Sequence, residues 1–295
     1  MTRYGSHALG GRFVDGYPRI EDHALIGDGD TAALVGVDAT VRWLCLPRFD
    51  GPALFASLLD AGRGGCWVVR PRGLRGVRQW YLPDSAVTVT ELRADTGTVR
   101  VVDALPLRGS LDTGRSNGTG QLARLVSAVD GEVDLQVRLS ARGGVRAAAT
   151  PAEILLHWPG SDRPLRLSSS RPVPGLDRLD GSVRLRAGER LGLVLRWGDG
   201  PTRLRTADDV AAALAQTGDA WRSWSAGITF AGPHEELVRR SAITLKLCDH
   251  HPNGAIVAAP TSSLPETIGG ERNWDTGSPG YATPRTPCTR CAASG

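Results

Sequence analysis

As far as about residue 200, apolar and polar residues alternate in short runs broken by Gly, Pro and Asp. The runs AVTVTEL, GTVRVVDAL, GEVDLQVRLSA, EILLHW, SVRLRA and RLGLVLRW carry the two-residue period that sends one set of side chains to a core and the other to solvent. No helical crossover separates them, so consecutive hairpins are the economical topology, and the pattern predicts an all-β, antiparallel sandwich. The period then changes. ADDVAAALAQTGDAWRSWS is Ala-rich and opens on Asp, which predicts a helix from Asp208 to Trp224. PHEELVRRSAITLKLC has Pro and two Glu in its first turn, where the helix dipole favours them, and predicts a helix from Pro233 to Cys248. Its apolar residues Val238, Ala242, Leu245 and Cys248 recur near helical spacing. Two helices and a loop cannot bury their apolar faces unaided, so the helical part needs partners.

A chain of 295 residues can build a substantial core and more than one domain. Hydrophobic residues at 41% and charged residues at 22% fit a soluble globular protein and exclude a coiled coil or a wholly disordered chain. The balance is +4, and the positive charge is nearly all Arg scattered along the chain. A nucleic-acid partner would need that charge clustered on one face, so none is expected. The opening MTRYGSHALGGRFVDGYPRI lacks the apolar run of a signal peptide, and no window is long enough to span a bilayer. A cytoplasmic location without membrane contact is therefore expected.

Candidate chemistry is sparse. Cys45, Cys66 and Cys248 lie in apolar surroundings and read as buried, reduced thiols. Cys288 and Cys291 form a C-x-x-C without the two further ligands of a zinc site or the strand-to-helix setting of a redox site. Asp28, Asp30 and Asp50 lack calcium-loop spacing and read as turn and cap residues, so neither metal nor cofactor is expected. His23 reads as a strand position, and His250 with His251 as a polar helix end; no convergent Ser, Cys or carboxylate set makes a triad of them.

Two longer stretches carry a resemblance. YPRIEDHALIGDGDTAALVGVDATVRWLCLPRFDGPALFASLLD near the start and HEELVRRSAITLKLCDHHPNGAIVAAPTSSLPETIGGERNWD near the end resemble glycoside hydrolase family 15, the glucoamylases and bacterial trehalases. The first stretch is similar to the trehalase-like N-terminal domain of that family. The resemblance runs from Tyr17 to Asp275 and implies a β-sandwich followed by the first helices of a truncated (α/α)6 barrel. The implied organisation is a sandwich over 1–205, a helical linker over 206–232, the start of the barrel over 233–275 and a tail over 276–295. The implied activity is inverting hydrolysis of an α-glucosidic bond, with an α-glucoside as partner; trehalose and starch-type substrates are not separated, and the oligomeric state stays open. Arg272, Asn273, Trp274 and Asp275 would form part of a sugar-binding rim. The loop Arg48, Phe49 and Asp50 would reach toward the barrel mouth.

The resemblance stops at Asp275. In the family the N-W-D motif continues through Tyr into W-L-R-D, whereas here Thr276 begins a Pro-, Thr-, Ser- and Gly-rich tail. One nucleotide restored before Thr276 lets codons for TGSPGYATP be read as YRVSWLRDA, so Thr276 to Gly295 is expected to be out of frame and disordered. Inverting hydrolysis needs an acid and a base carboxyl roughly 6.5 to 9.5 Å apart. The family's two catalytic glutamates lie downstream of N-W-D, so no residue of this chain inherits either role. Glu266 and Glu271 read as solvated loop carboxylates. The chain is then expected to be inactive, and the competing reading is a non-catalytic carbohydrate-binding or partner-docking sandwich.

Overall fold

A computed structural model describes residues 7–8, 13–14, 17–111, 118–151, 153–198, 203–250 and 254–261. The tail from Thr276, Cys288 and Cys291, His251, Glu266 and Glu271 lie outside them.

The β-rich part is antiparallel throughout and is organised by one strand of 21 residues, Gln121–Ala141. Its first half pairs with Gly97–Ala104 on one side and Arg190–Arg196 on the other. Its second half pairs with Gly65–Pro71 and Asp180–Arg186. Inward residues are Leu122, Val126 and Ala128 before the middle and Val133, Leu135, Val137 and Leu139 after it, so the phase of the alternation flips. The flip occurs at Val129, which the register with Gly97–Ala104 skips between Thr98 and Val99; two residues on, Gly131 has a φ of 65° and a crowding against Thr96 that suit only glycine. One extra residue in a strand is what such a flip requires. The alternation predicted a strand beginning at Gly131; in the structure it continues a strand already ten residues long.

Around the first half lie Leu74–Tyr81, Thr88–Ala94, Gly97–Ala104, Arg190–Arg196 and Leu165–Ser169. Around the second half lie Gly65–Pro71 and Asp180–Arg186, and Gly65–Pro71 leads on to Val41–Cys45, Ala32–Gly36 and His23–Gly27. One hydrophobic cluster draws on both sets, among them Ile26, Val35, Leu44 and Trp67 from one and Leu92, Val101, Leu122 and Leu193 from the other.

Inside this cluster sits a fully buried ion pair. Arg124 donates from Nε to Asp103 Oδ1 at 2.8 Å and from Nη2 to Asp103 Oδ2 at 3.1 Å, with both side chains 0% exposed. The two residues face each other across adjacent strands. The same guanidinium donates to the carbonyls of Ala39 and Trp67, the latter at 3.2 Å, and lies 5.0 Å from the Trp67 ring. It therefore ties the strands of the first set to those of the second.

The helix α1, Ala207–Ser225, starts at a capping box: the Asp209 N–H donates to Thr206 Oγ1 at 3.0 Å, and the Thr206 N–H to Asp209 Oδ2 at 2.8 Å. Val210, Leu214, Thr217 and Trp221, spaced for one helical face, are buried. Val210 and Leu214 lie on Val87, Ala104, Ala123, Leu125 and Val194, the opposite face of the first set of strands from the ion pair. Gly192 lets the helix approach, since a Cβ there would stand 2.8 Å from Val210.

The helix α2, Glu235–Leu247, is anchored by Arg239, which donates to the carbonyls of Ser225, the last residue of α1, at 2.8 Å and of Ile228 just beyond it at 3.2 Å. Its neighbour Arg240 donates to the Ser85 carbonyl at 2.8 Å and stacks 4.0 Å over Tyr81. Ile243 and Leu247 are its buried face, packed with Trp221, Leu107 and Ala86. The apolar spacing pointed instead to Leu245, which is 60% exposed, as Leu237 is at 64%. The sheet selects the face that the arginines turn toward it, and two leucines are left outward. No helix among the described residues is long and apolar enough to cross a membrane.

Candidate functional site

The N-terminal motif builds a turn and a loop that meet the end of α2. At the turn, the Asp28 carboxylate accepts from the N–H groups of Asp30 and Thr31, each at 3.0 Å, and Thr31 Oγ1 donates to the Cys45 carbonyl at 2.6 Å. This is the turn role expected of Asp28. Burial pushes the Asp28 carboxyl up to about 7 against the pull of the Thr31 N–H, and the neighbouring Asp30 charge adds to the rise.

The loop after Cys45 is held to the turn by the Phe49 N–H, which donates to the Asp30 carbonyl at 3.0 Å, and its neck closes through Leu46 N–H to the Pro52 carbonyl at 3.0 Å. Arg48 and Asp50 make a two-pronged ion pair at 3.0 and 3.2 Å on the surface. That pairing holds the Asp50 carboxyl below the usual range, with a smaller contribution from His250.

Between them Phe49 points inward. Its ring packs with Ala32, Cys248 and Val257 and meets the His250 ring edge-on, centroids 6.2 Å apart. The segment after α2 folds back as Asp249–His250 against Ala255–Ile256, closed by Gly254 N–H to the His250 carbonyl at 2.8 Å and Val257 N–H to the Cys248 carbonyl at 2.9 Å. Phe49 thus latches the N-terminal loop onto the C-terminal segment.

Several expectations change here. His250 is not a polar helix end: it lies in a strand, buried under Phe49, because the chain reverses directly after Cys248. Of the three thiols, Cys45 and Cys248 are buried, whereas Cys66 is half-buried, its strand lying where Ser140 is its neighbour. Burial pushes the Cys45 thiol up to about 12, which leaves it protonated and unreactive. His23 occupies a strand as expected.

Arg272, Asn273, Trp274 and Asp275 lie outside the described residues, and the last described one, Thr261, precedes Arg272 by eleven positions. Among the described residues no group of three or more His, Cys, Asp or Glu could hold a metal ion. The sequence pattern singles out no residue of a concavity of about 350 Å³ between the turns at Gly143–Val145 and Pro159–Pro164. The only sequence signal there is a run of Gly, Pro and Ser, which reads as two ordinary turns.

Residues 12–173 match the family model described as trehalase-like, N-terminal. The chain belongs to this family. The matched residues contain the aspartate turn, the Phe49 loop and the long central strand. A trehalase of Thermoplasma volcanium is 31% identical over 269 residues, which cover 89% of this chain and 42% of the relative. Trehalases of Mycolicibacterium smegmatis and Mycobacterium tuberculosis are 32% and 33% identical, covering 91% and 88% of this chain and 44% and 42% of theirs. The chain therefore spans less than half the length of these relatives, and in each case the similarity runs well beyond residue 173, through most of the chain.

Proposed function

We propose that this chain is the N-terminal portion of a glycoside hydrolase that cleaves trehalose with inversion, and that the 295-residue polypeptide on its own does not turn over substrate. The observation that carries the reading is the family match together with relatives named trehalase whose similarity extends through both helices. Trehalose is preferred over starch-type glucans for the same reason. Residues 1–205 are read as a sandwich, supported by the single core shared between the two sets of strands, with 206–232 as the linker and 233–275 as the opening of a helical barrel. In that arrangement the Phe49 latch holds the segment from which the chain runs on in sequence to the candidate rim residues Arg272, Asn273, Trp274 and Asp275.

Inverting hydrolysis requires two carboxyl groups with room for a water between the base and the sugar. Asp50 is engaged by Arg48 and Asp28 is buried in its turn, so neither is suited to either role. Incubation of the purified chain with trehalose is expected to release no glucose. A polypeptide in which residues 276–295 are replaced by the length that follows the N-W-D motif in the relatives is expected to release glucose. Proton NMR before mutarotation should then show one α- and one β-glucose per trehalose. Glucose from the 295-residue chain alone would refute its inactivity, and two α-anomers would refute inversion.

A further inference from the structure

The concavity of about 350 Å³ lies between two turns, each closed by hydrogen bonds of its own. Gly143 and Gly144, with φ of 77° and 86°, form one wall, tied by the Gly144 N–H to the Ala141 carbonyl at 3.0 Å. The facing turn is tied by the Ser161 N–H to the Trp158 carbonyl at 3.1 Å and by Ser161 Oγ to the Arg163 carbonyl at 2.8 Å. Trp158 joins the two: its indole N–H donates to the Arg142 carbonyl at 2.7 Å. Gly160 lies on its six-membered ring so closely that a Cβ would stand 2.3 Å from the ring carbons.

The lining is mixed. Val145, Trp158, Pro159 and Pro164 offer C–H and ring surface. Arg146 and His157, directly opposite one another on paired strands, supply donors, and Asp162 supplies an acceptor. These three side chains enter no ion pair or hydrogen bond among the described residues, so their polar capacity is unspent. Apolar surface with a few convergent donors and acceptors suits a pyranose, which presents C–H faces and a belt of hydroxyls. The volume sits near the lower end of small-molecule sites, roughly 300 Å³ and upward, enough for one disaccharide.

We propose that this concavity is a non-catalytic binding site for an α-glucoside. The class of ligand rests on the hydrolase reading above; the cavity does not. The test uses the full 295-residue chain labelled with nitrogen-15, following the indole resonance of Trp158, assigned from the variant Trp158→Phe, as trehalose is added. The expected result is a saturable shift with a dissociation constant on the order of millimolar. In the double variant Arg146→Ala, Asp162→Ala, both positions being exposed, the constant should rise about tenfold at an unchanged urea midpoint. No saturable shift, an equal response to glycerol, or undiminished affinity in the double variant would each overturn the proposal. Binding here without glucose release from the extended polypeptide leaves this site standing and removes the hydrolase reading. Glucose release with a silent Trp158 does the reverse.

Discussion

Replacing Asp103 by Ala removes the carboxylate that neutralises Arg124 in the middle of the core. Both side chains are 0% exposed, and the guanidinium spans from its own strand to the carbonyls of Ala39 and Trp67. The arginine cannot reach water without unpacking Leu122 and Val126, its neighbours on the same face of the strand. Breaking a buried pair on one side costs about 3 to 5 kcal/mol, because the remaining charge has lost its counter-ion but not its burial. The two carbonyls and the Trp67 ring still solvate the cation, which places the expected loss near 3 kcal/mol, a large share of the roughly 5 to 15 kcal/mol that holds a domain folded. The companion double variant Asp103→Leu, Arg124→Met replaces charge with volume and should lose far less than Asp103→Ala. Urea unfolding followed by tryptophan fluorescence measures both. A loss below about 1 kcal/mol for Asp103→Ala, or a double variant worse than the single, would refute the claim that the pair's burial governs its energetics.

Other expectations are independent of that pair. Asp28 binds its proton more tightly folded than unfolded, so between its ordinary value and about 7 the folded state holds more protons and stability falls as pH rises. Asp28→Asn keeps the acceptor for Thr31 and should flatten that slope by roughly 1 kcal/mol per pH unit; an unchanged slope in urea midpoints from pH 5 to 8 would exclude this origin. Phe49→Ala should cost about 3 kcal/mol and raise amide exchange at Val257, whose N–H closes the C-terminal turn; unaltered exchange there would show that Phe49 is not the latch. Leu237→Glu with Leu245→Lys should reduce binding of a hydrophobic dye and concentration-dependent association while moving stability by less than about 0.5 kcal/mol, because both leucines face outward. Dye binding that stays the same would place the sticky surface elsewhere.

Much of the framework was legible because it depends on local period. Alternation identified six of the strands after residue 85, Gly and Asp their turns, and Asp and Glu the helix starts; the predicted helix from Asp208 to Trp224 lies within one residue of α1 at each end. The trehalase-like family was legible from two ordered motifs. The buried ion pair was not legible: Asp103 stands in the predicted run GTVRVVDAL, but Arg124 lies in residues 121–130, which no predicted run covers. Their partnership also needs the register of two strands. The candidate rim, Arg272 to Asp275, rests on resemblance alone.

The amino-acid sequence by itself determined where strands and helices form, because a two-residue or near-four-residue period is written in neighbouring residues. Tertiary structure decided which face each element buries. Leu245 belongs to the stripe that helical spacing selects, yet Arg239 and Arg240 clamp α2 to Ser225, Ile228 and Ser85 and turn Ile243 and Leu247 inward instead. His250 is polar and follows a helix, yet the reversal at Gly254 places it beneath Phe49, some two hundred residues earlier in the chain. Burial is a property of what lies opposite, and what lies opposite is set by contacts distant in sequence.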